Sequence, residues 1–257
     1  MYRVSKILAK EKDIDLLITI AFPHTIHWGT AKYKKKHPDK FPSVWVSDCG
    51  DPYFFNPFFK APHYFKKYEI LSCQLTDYIT IPTIDAIGGY FKEFHSKIRI
   101  IPQGFDFSKT PADKYESNKV ITFSFAGAVY DGKRDPRPFM EYLLVSGLEY
   151  KFIMYLRSPL EERYVVESGG QIEYRLNYQR REIIWECSKA DFLINVTNPT
   201  AVQSPSKLID YGITGRPVLD ISTSFDETDK QRFISFYNGD YSDAHQINVE
   251  DYRIERI

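Results

Sequence analysis

The chain has 257 residues, enough for one large domain or two modest ones, with 43% hydrophobic residues and no low-complexity tract. Lys+Arg and Asp+Glu both number 34, so the formal net charge is zero, which excludes a general nucleic-acid coat that needs a basic excess. Cys49, Cys73 and Cys187 are odd in number and widely spaced, so they form neither a disulfide framework nor a zinc-type pair, and a reducing, cytoplasmic location is expected. No apolar run reaches the roughly 20 residues of a membrane span, and the charged, amphipathic start is not a signal peptide.

Residues 1 to 12 suit a helix. The apolar run at 15–22 fits a buried parallel strand. It ends at Pro23-His24-Thr-Ile-His27, a loop or helix start, and a basic helix is expected over 31–37. A second strand is predicted at 43–47, running into a loop from Asp48 to Tyr53 that Gly50 and Pro52 enforce. Then follow a helix over 63–76, a strand at 78–81, a helix over 84–94 and a strand at 98–101. The stretch from 106 to 118 is polar and contains Pro111, the best linker. Beyond it the same alternation returns, with strands at 120–126, 151–156, 172–174, 191–196 and 217–221 and helices over 136–145 and 178–188. Residues 222 to 257 are polar and aromatic and expected to be helical in part. Strands alternating with helices imply two parallel, doubly wound α/β sheets. The first domain is placed at 1–108 and the second at 119–257.

The most informative stretch is Gln203-Ser-Pro-Ser-Lys-Leu-Ile-Asp-Tyr-Gly-Ile-Thr-Gly-Arg-Pro-Val-Leu219. Ser204 suits an N-cap and Pro205 the first helical position, while Gly215 can end the helix. Free N–H groups there, with Ser206 and Lys207 in the first turn, make an anion site suited to phosphate. As a first-turn side chain, Lys207 is expected to be exposed. Asp210 lies one turn on, where a carboxylate can accept bonds from ribose hydroxyls; alternatively it forms an ordinary i,i+3 surface pair with Lys207. In the loop after the strand at 120–126, Gly127 allows close approach to the backbone, and Lys133 and Arg134 bring two cations. The alternative is a solvated charged loop.

These residues carry a resemblance. Pro205-Ser-Lys-Leu-Ile-Asp-Tyr-Gly-Ile-Thr-Gly-Arg-Pro-Val218 resembles the Pro-Ser/Gly-Lys-Leu-x-Glu-Tyr-x-x-x-Gly-x-Pro-Val signature of GT-B glycosyltransferases of the group 1 (family 4-like) type. Gly127-Ala-Val-Tyr-Asp-Gly-Lys-Arg-Asp-Pro136 is similar to a block that opens their nucleotide domain. Val44-Trp-Val-Ser-Asp-Cys-Gly-Asp-Pro-Tyr53 is similar to their Trp-Ile-x-Asp-Phe-Arg-Asp-Pro-Trp block, with Cys49 and Gly50 in place of Phe-Arg. Tyr78-Ile-Thr-Ile-Pro82 and Ile98-Arg-Ile-Ile-Pro-Gln-Gly-Phe-Asp106 match a further pair of blocks. The resemblance runs from about residue 14 to 221. It lacks the family's Gly-rich N-terminal start, which implies an incomplete first domain.

The resemblance implies a glycosyltransferase that moves a sugar from a nucleoside diphosphate sugar to a hydroxyl acceptor in surface polysaccharide or glycoconjugate synthesis. It implies donor binding by Gly127, Lys133, Arg134, Tyr174, Ser204, Ser206, Lys207, Leu208 and Asp210, with Asp210 on the ribose and Tyr174 stacking on the base. A buried strand tyrosine is the alternative for Tyr174. His24, His27, Asp48 and Asp51 fall on the acceptor side; the carboxylates orient or deprotonate the acceptor, or simply cap a helix. Arg134 and Lys207 stabilise the leaving diphosphate. No cofactor and no essential metal are expected: His24 and His27 show no third ligand, and Asp13-Ile-Asp15 precedes a strand where a metal-sugar motif would follow one. The partners implied are the donor and a saccharide or lipid-linked saccharide acceptor, with no nucleic acid; peripheral contact with the inner face of the membrane fits a lipid-linked acceptor. The rival reading is a non-catalytic nucleotide-sugar binding protein or partner subunit.

Overall fold

The structure, a computed structural model, describes residues 6–8, 10–11, 13–56, 60–106, 115–197 and 207–254. These divide into two compact units, one ending at Gln103 and the other beginning at Gly104. Most of the expected linker, together with Ser204, Pro205 and Ser206, lies outside the described residues.

The first unit holds β1 (Leu16–Ala21), β2 (Val44–Cys49), β3 (Tyr78–Ile81) and β4 (Ile98–Ile100) in a parallel sheet of order β1-β2-β3-β4. Helices α1 (Thr25–Lys36) and α2 (Lys66–Leu75) carry the crossovers, as parallel pairing requires. Burial alternates along β2: Trp45, Ser47 and Cys49 are buried, and Val44, Val46 and Asp48 less so. On β1, Ile18 is 53% and Ile20 64% exposed, so the expectation of a fully buried strand is corrected to one buried on a single face. The pleat sends alternate side chains to opposite faces, and the buried set is the one that meets α1 and α2. β2 also runs further than expected, so Asp48 sits within a strand and accepts a hydrogen bond from Thr80 Oγ1 at 2.6 Å. The helix expected over 84–94 is instead two 3₁₀ segments, Ile84–Gly89 and Lys92–Lys97. The Gly88-Gly89 pair explains the difference, because each glycine costs about 1 kcal/mol in a helix interior.

The second unit holds β5 (Thr122–Ala126), β6 (Lys151–Leu156), β7 (Ile172–Leu176), β8 (Phe192–Val196) and β9 (Val218–Ile221), all parallel, in the order β7-β6-β5-β8-β9. The order reverses beside β5, which makes the carboxyl ends of β5 and β8 the topological switch point. Helices α3 (Arg137–Val145), α4 (Arg163–Glu167), α5 (Arg180–Cys187), α6 (Lys207–Thr214) and α7 (Glu227–Tyr237) connect the strands or follow them. One face of the sheet is a layer of rings: Phe123, Phe152 and Phe192 lie against Phe139 from α3 and Phe233 and Phe236 from α7, all 0% exposed. Phe123 and Phe192 stack with centroids 5.0 Å apart, within the preferred range for aromatic pairs. The other face carries Ile153, Leu193 and Val218 under Cys187 of α5 and Tyr211 of α6. Asp226 starts α7 as its N-cap, accepting from the amides of Thr228 at 3.0 Å and Asp229 at 3.1 Å.

Tyr211 ties α6 to the switch point. Its hydroxyl accepts from Ala126 N at 2.7 Å, with the Ala126 and Ile194 carbonyl oxygens each 3.2 Å away as acceptors. Tyr211→Phe leaves the Ala126 amide without this partner in a buried setting. The expected loss is about 1–2 kcal/mol, read as a lower urea midpoint at unchanged slope.

Candidate functional site

A cavity of about 610 Å³ opens in the second unit at the carboxyl ends of β5, β6 and β7. Gly127 and Ala128 leave β5 into it, Leu156 and Arg157 end β6, and Asn177 and Tyr178 follow β7. α5 contributes Arg180 and α6 contributes Lys207, Asp210 and Tyr211. The volume lies in the range of small-molecule sites, and the position is the one where open parallel sheets bind ligands.

Lys207 defines the chemistry. Its Nζ is buried and has no hydrogen-bond partner among the described residues. It lies 4.5 Å from the centroid of the Phe125 ring. Burial, aided by the charge of Arg134 and opposed by Asp220, lowers its pKa from 10.5 to about 7. The expected surface lysine is therefore corrected: α6 folds its first turn inward and the side chain reaches across the end of β5. Gly127 stands beside it with a φ of +148°, which suits glycine; a Cβ there would meet Lys207 Cδ at 3.5 Å and Nζ at 3.8 Å, ordinary van der Waals contact.

Asp210 does not pair with Lys207, again contrary to the surface-pair expectation. It takes a forked bond from Arg180, whose Nε lies 3.0 and 3.2 Å from the two carboxylate oxygens. The Arg180 guanidinium in turn lies 4.4 Å from the Phe105 ring centroid. Leu208 is partly buried against the layer that holds Tyr211 and does not line the cavity. Lys133 and Arg134 form a tight turn with Tyr130, in which the Arg134 amide donates to Tyr130 O at 3.0 Å. Thr223 Oγ1 fastens this turn by donating to Lys133 O at 2.9 Å.

Tyr174 is corrected as a base-stacking residue. On β7 it points into the phenylalanine layer, with its hydroxyl on Glu161 O at 3.1 Å. Its neighbour Arg175 faces the cavity instead, where Glu173 at 2.7 Å and Glu186 at 2.9 Å neutralise it. Tyr178, one turn later and set edge-on to Tyr155 at 5.4 Å, offers the exposed ring. Arg157, Arg180 and Tyr178 were not singled out from the sequence. The signal that finds them is position: Arg157 directly follows β6, and Tyr178 and Arg180 lie within four residues of the end of β7.

In the first unit His24 and His27 are 8% and 3% exposed. Burial lowers both imidazoles to about 4. They do not form an open acceptor surface. Nor do they lack a third neighbour: Cys49, 22 residues beyond His27, has its Sγ 3.3 Å from His27 Nε2. Asp48 lies on the opposite face of β2, in a second, apolar-walled hollow with Ile18, Tyr78, Thr80 and Arg99.

The two sheets and their connections match solved structures across nearly the whole chain. A glycosyltransferase from Rickettsia africae ESF-5 superposes with a TM-score of 0.66 at 11% identity, covering 99% of this chain and 76% of that one. Anabaena Alr3699/HepE in complex with UDP gives 0.65 at 11% identity, over 93% and 72% of the two chains. The lipopolysaccharide outer core galactosyltransferase WaaB gives 0.55 at 15% identity, over 85% and 59%. The fold is GT-B. The two parallel-sheet units of this GT-B chain, with four and five strands, are the two Rossmann-like halves that the sequence implied. No protein-family profile and no curated protein matches the sequence.

Proposed function

We propose that the chain is a glycosyltransferase that takes its sugar from a nucleoside diphosphate sugar. The observation that carries this reading is the buried Nζ of Lys207, facing a cavity at the switch point with no acceptor among the described residues. An ammonium in that position lacks an anion, and a diphosphate supplies one. The similar HepE structure holds UDP, which supports the same ligand class here.

In the transfer, the acceptor hydroxyl attacks the anomeric carbon, the bond from that carbon to the diphosphate oxygen breaks, and negative charge grows on the departing diphosphate. Lys207, with Lys133 and Arg134, stabilises that charge electrostatically. Asp210 accepts bonds from the ribose hydroxyls, and Tyr178 replaces Tyr174 as the stacking ring. Asp48 and Asp51 are the proposed acceptor-side carboxylates, which would orient the hydroxyl or, one of them, take its proton. A saccharide or lipid-linked saccharide of a surface polysaccharide is the proposed acceptor, in keeping with the name of WaaB. Three free cysteines support a reducing, cytoplasmic location. Among the described residues no helix is long and apolar enough to cross a membrane; contact with a lipid-linked acceptor at the inner face is part of the proposal.

The test is a thermal-shift and calorimetry panel of UDP, GDP, dTDP and their sugars, followed by donor hydrolysis without acceptor. Saturable binding of one diphosphate family and release of its sugar are expected; failure of every diphosphate to bind overturns the reading. The transfer chemistry is proposed to need no metal, a reading supported by Arg157, Arg180 and Lys207 in the lining of the cavity. Turnover should survive EDTA, and a loss restored by magnesium or manganese would count against this. The exposure of Ile18 and Ile20 on the Asp48 face of the first sheet favours a second reading: binding of the nucleotide sugar without transfer. Tight donor binding with no hydrolysis and no transfer would select it.

A further inference from the structure

The sheet register of the first unit brings together three metal-ligating side chains that are far apart in sequence. β1 and β2 pair in parallel with Ala21 opposite Cys49. Cys49 therefore ends its strand beside the exit of β1. His24 immediately precedes α1 and His27 follows one turn later, on the same face of the helix. We propose that His24, His27 and Cys49 bind one transition-metal ion of borderline softness, zinc by chemical fit, in a closed site of the first unit.

The geometry is that of a nearly formed site. The three ligand atoms lie within 4.8 Å of one another. His27 Nε2 and Cys49 Sγ are 3.3 Å apart; nitrogen and sulfur sharing a tetrahedral zinc stand about 3.5 Å apart, given bond lengths of about 2.0–2.3 Å. The outer partner of His27 is already in place. Its Nδ1 lies 2.8 Å from Thr19 Oγ1, which also accepts from Trp45 Nε1 at 2.8 Å and points its own hydroxyl at Val46 O. In the tautomer whose Nδ1–H donates to Thr19, the Nε2 lone pair faces Cys49. This is how metal-bound histidines are held in orientation.

The surroundings suit an ion. A cavity of about 20 Å³ adjoins the three residues, room for about one water or one ion. Glu69 lines the same cavity and is 6% exposed, and its Oε2 has no hydrogen-bond partner among the described residues. Its carboxylate receives the backbone amides of Tyr53 and Phe54. The fourth position of the metal falls to a water held by Glu69. Two neutral imidazoles, one thiolate and, once ionised, the Glu69 carboxylate balance a dication, which lowers the penalty for burying it. Metal binding expels the Cys49 thiol proton, because the thiolate is the ligand. Sulfur and imidazole select zinc over magnesium or manganese. This keeps the site distinct in its metal preference from any ion used at the diphosphate.

The experiment uses the full chain, stripped with chelator and titrated with cobalt(II). One equivalent should produce a sulfur-to-cobalt charge-transfer band and strong tetrahedral ligand-field bands, both bleached by zinc. Cys49→Ser and His27→Gln should each remove the charge-transfer band, whereas Cys73→Ser, on the same cavity wall, should keep it. X-ray absorption of the zinc-loaded wild type should show one sulfur and otherwise nitrogen or oxygen neighbours, a readout that needs no variant to fold. Absence of any cobalt band in the wild type, a band that survives Cys49→Ser, or a zinc shell without sulfur would each overturn the proposal.

Discussion

Lys207→Met should raise the thermal midpoint of the ligand-free protein while removing most of its nucleotide affinity. The two effects have one cause. The lysine's pKa is lowered to about 7 by burial and by the charge of Arg134, so its ammonium form is penalised in the folded state. An unfolded chain holds the proton up to about 10.5, so between 7 and 10.5 the unfolded state binds more protons. Stability contributed by this site therefore rises with pH through that window and is lowest, by roughly 5 kcal/mol, at and below pH 7. Methionine fills similar space without the charge. The gain from Lys207→Met should be largest at pH 6–7 and fade as pH approaches 10.5, the reverse of what loss of a stabilising surface lysine would give.

Binding should show the opposite sign. A diphosphate favours the ammonium form, so complex formation takes up a proton above pH 7 and affinity falls as pH rises from about 7. Calorimetry in buffers of different ionisation enthalpy reads that proton directly. Removing one partner of a buried charge pair costs about 2–4 kcal/mol, so Lys207→Met should bind diphosphates roughly 30- to 1,000-fold more weakly and lose the pH dependence. A variant that is more stable yet binds as tightly as wild type would show that the lysine does not meet the diphosphate.

Most strands were legible because they are apolar runs cut off by a turn residue or a proline; β7, Ile172-Glu-Tyr-Arg-Leu176, is the exception. That pattern survives without tertiary context, and it sufficed for two parallel sheets. Ile84 to Phe94 misled because its apolar spacing is helical, while Gly88-Gly89 removes the propensity that would extend a helix. The site was legible as a neighbourhood but not as a geometry. The inward reach of Lys207 ends beside Phe125 and Gly127, some 80 residues earlier, a neighbourhood that no local pattern reveals. The partner of Asp210 is an arginine on another helix. Tyr174 and Arg175 are adjacent in sequence, and only the pleat decides which of them faces the cavity. His24, His27 and Cys49 meet because β1 and β2 pair in one register, and no short motif encodes that meeting.

Asp210 should lose affinity for ribonucleotides selectively when its charge is removed. Arg180 already occupies one side of the carboxylate, but a carboxylate offers about four acceptor sites, so two ribose hydroxyls can still be received on the cavity side. The stacking of Arg180 on Phe105 keeps the fork fixed and the free lone pairs aimed. Asp210→Asn keeps the shape and loses the charge that strengthens such bonds. The expected loss is roughly 1–3 kcal/mol for a nucleoside diphosphate, and much less for its 2′,3′-dideoxy form, which has no hydroxyl to donate. Asp210→Glu should be tolerated, since the longer arm still reaches Arg180. As a half-exposed ion pair alone, Arg180–Asp210 would contribute about 0–1 kcal/mol to stability, and its loss would leave both ligands bound as before. Calorimetry with the two ligands on wild type and both variants separates these outcomes. Equal losses for ribose and dideoxyribose would mean that the substitution acts through Arg180 and the cavity wall, and the ribose role would fall.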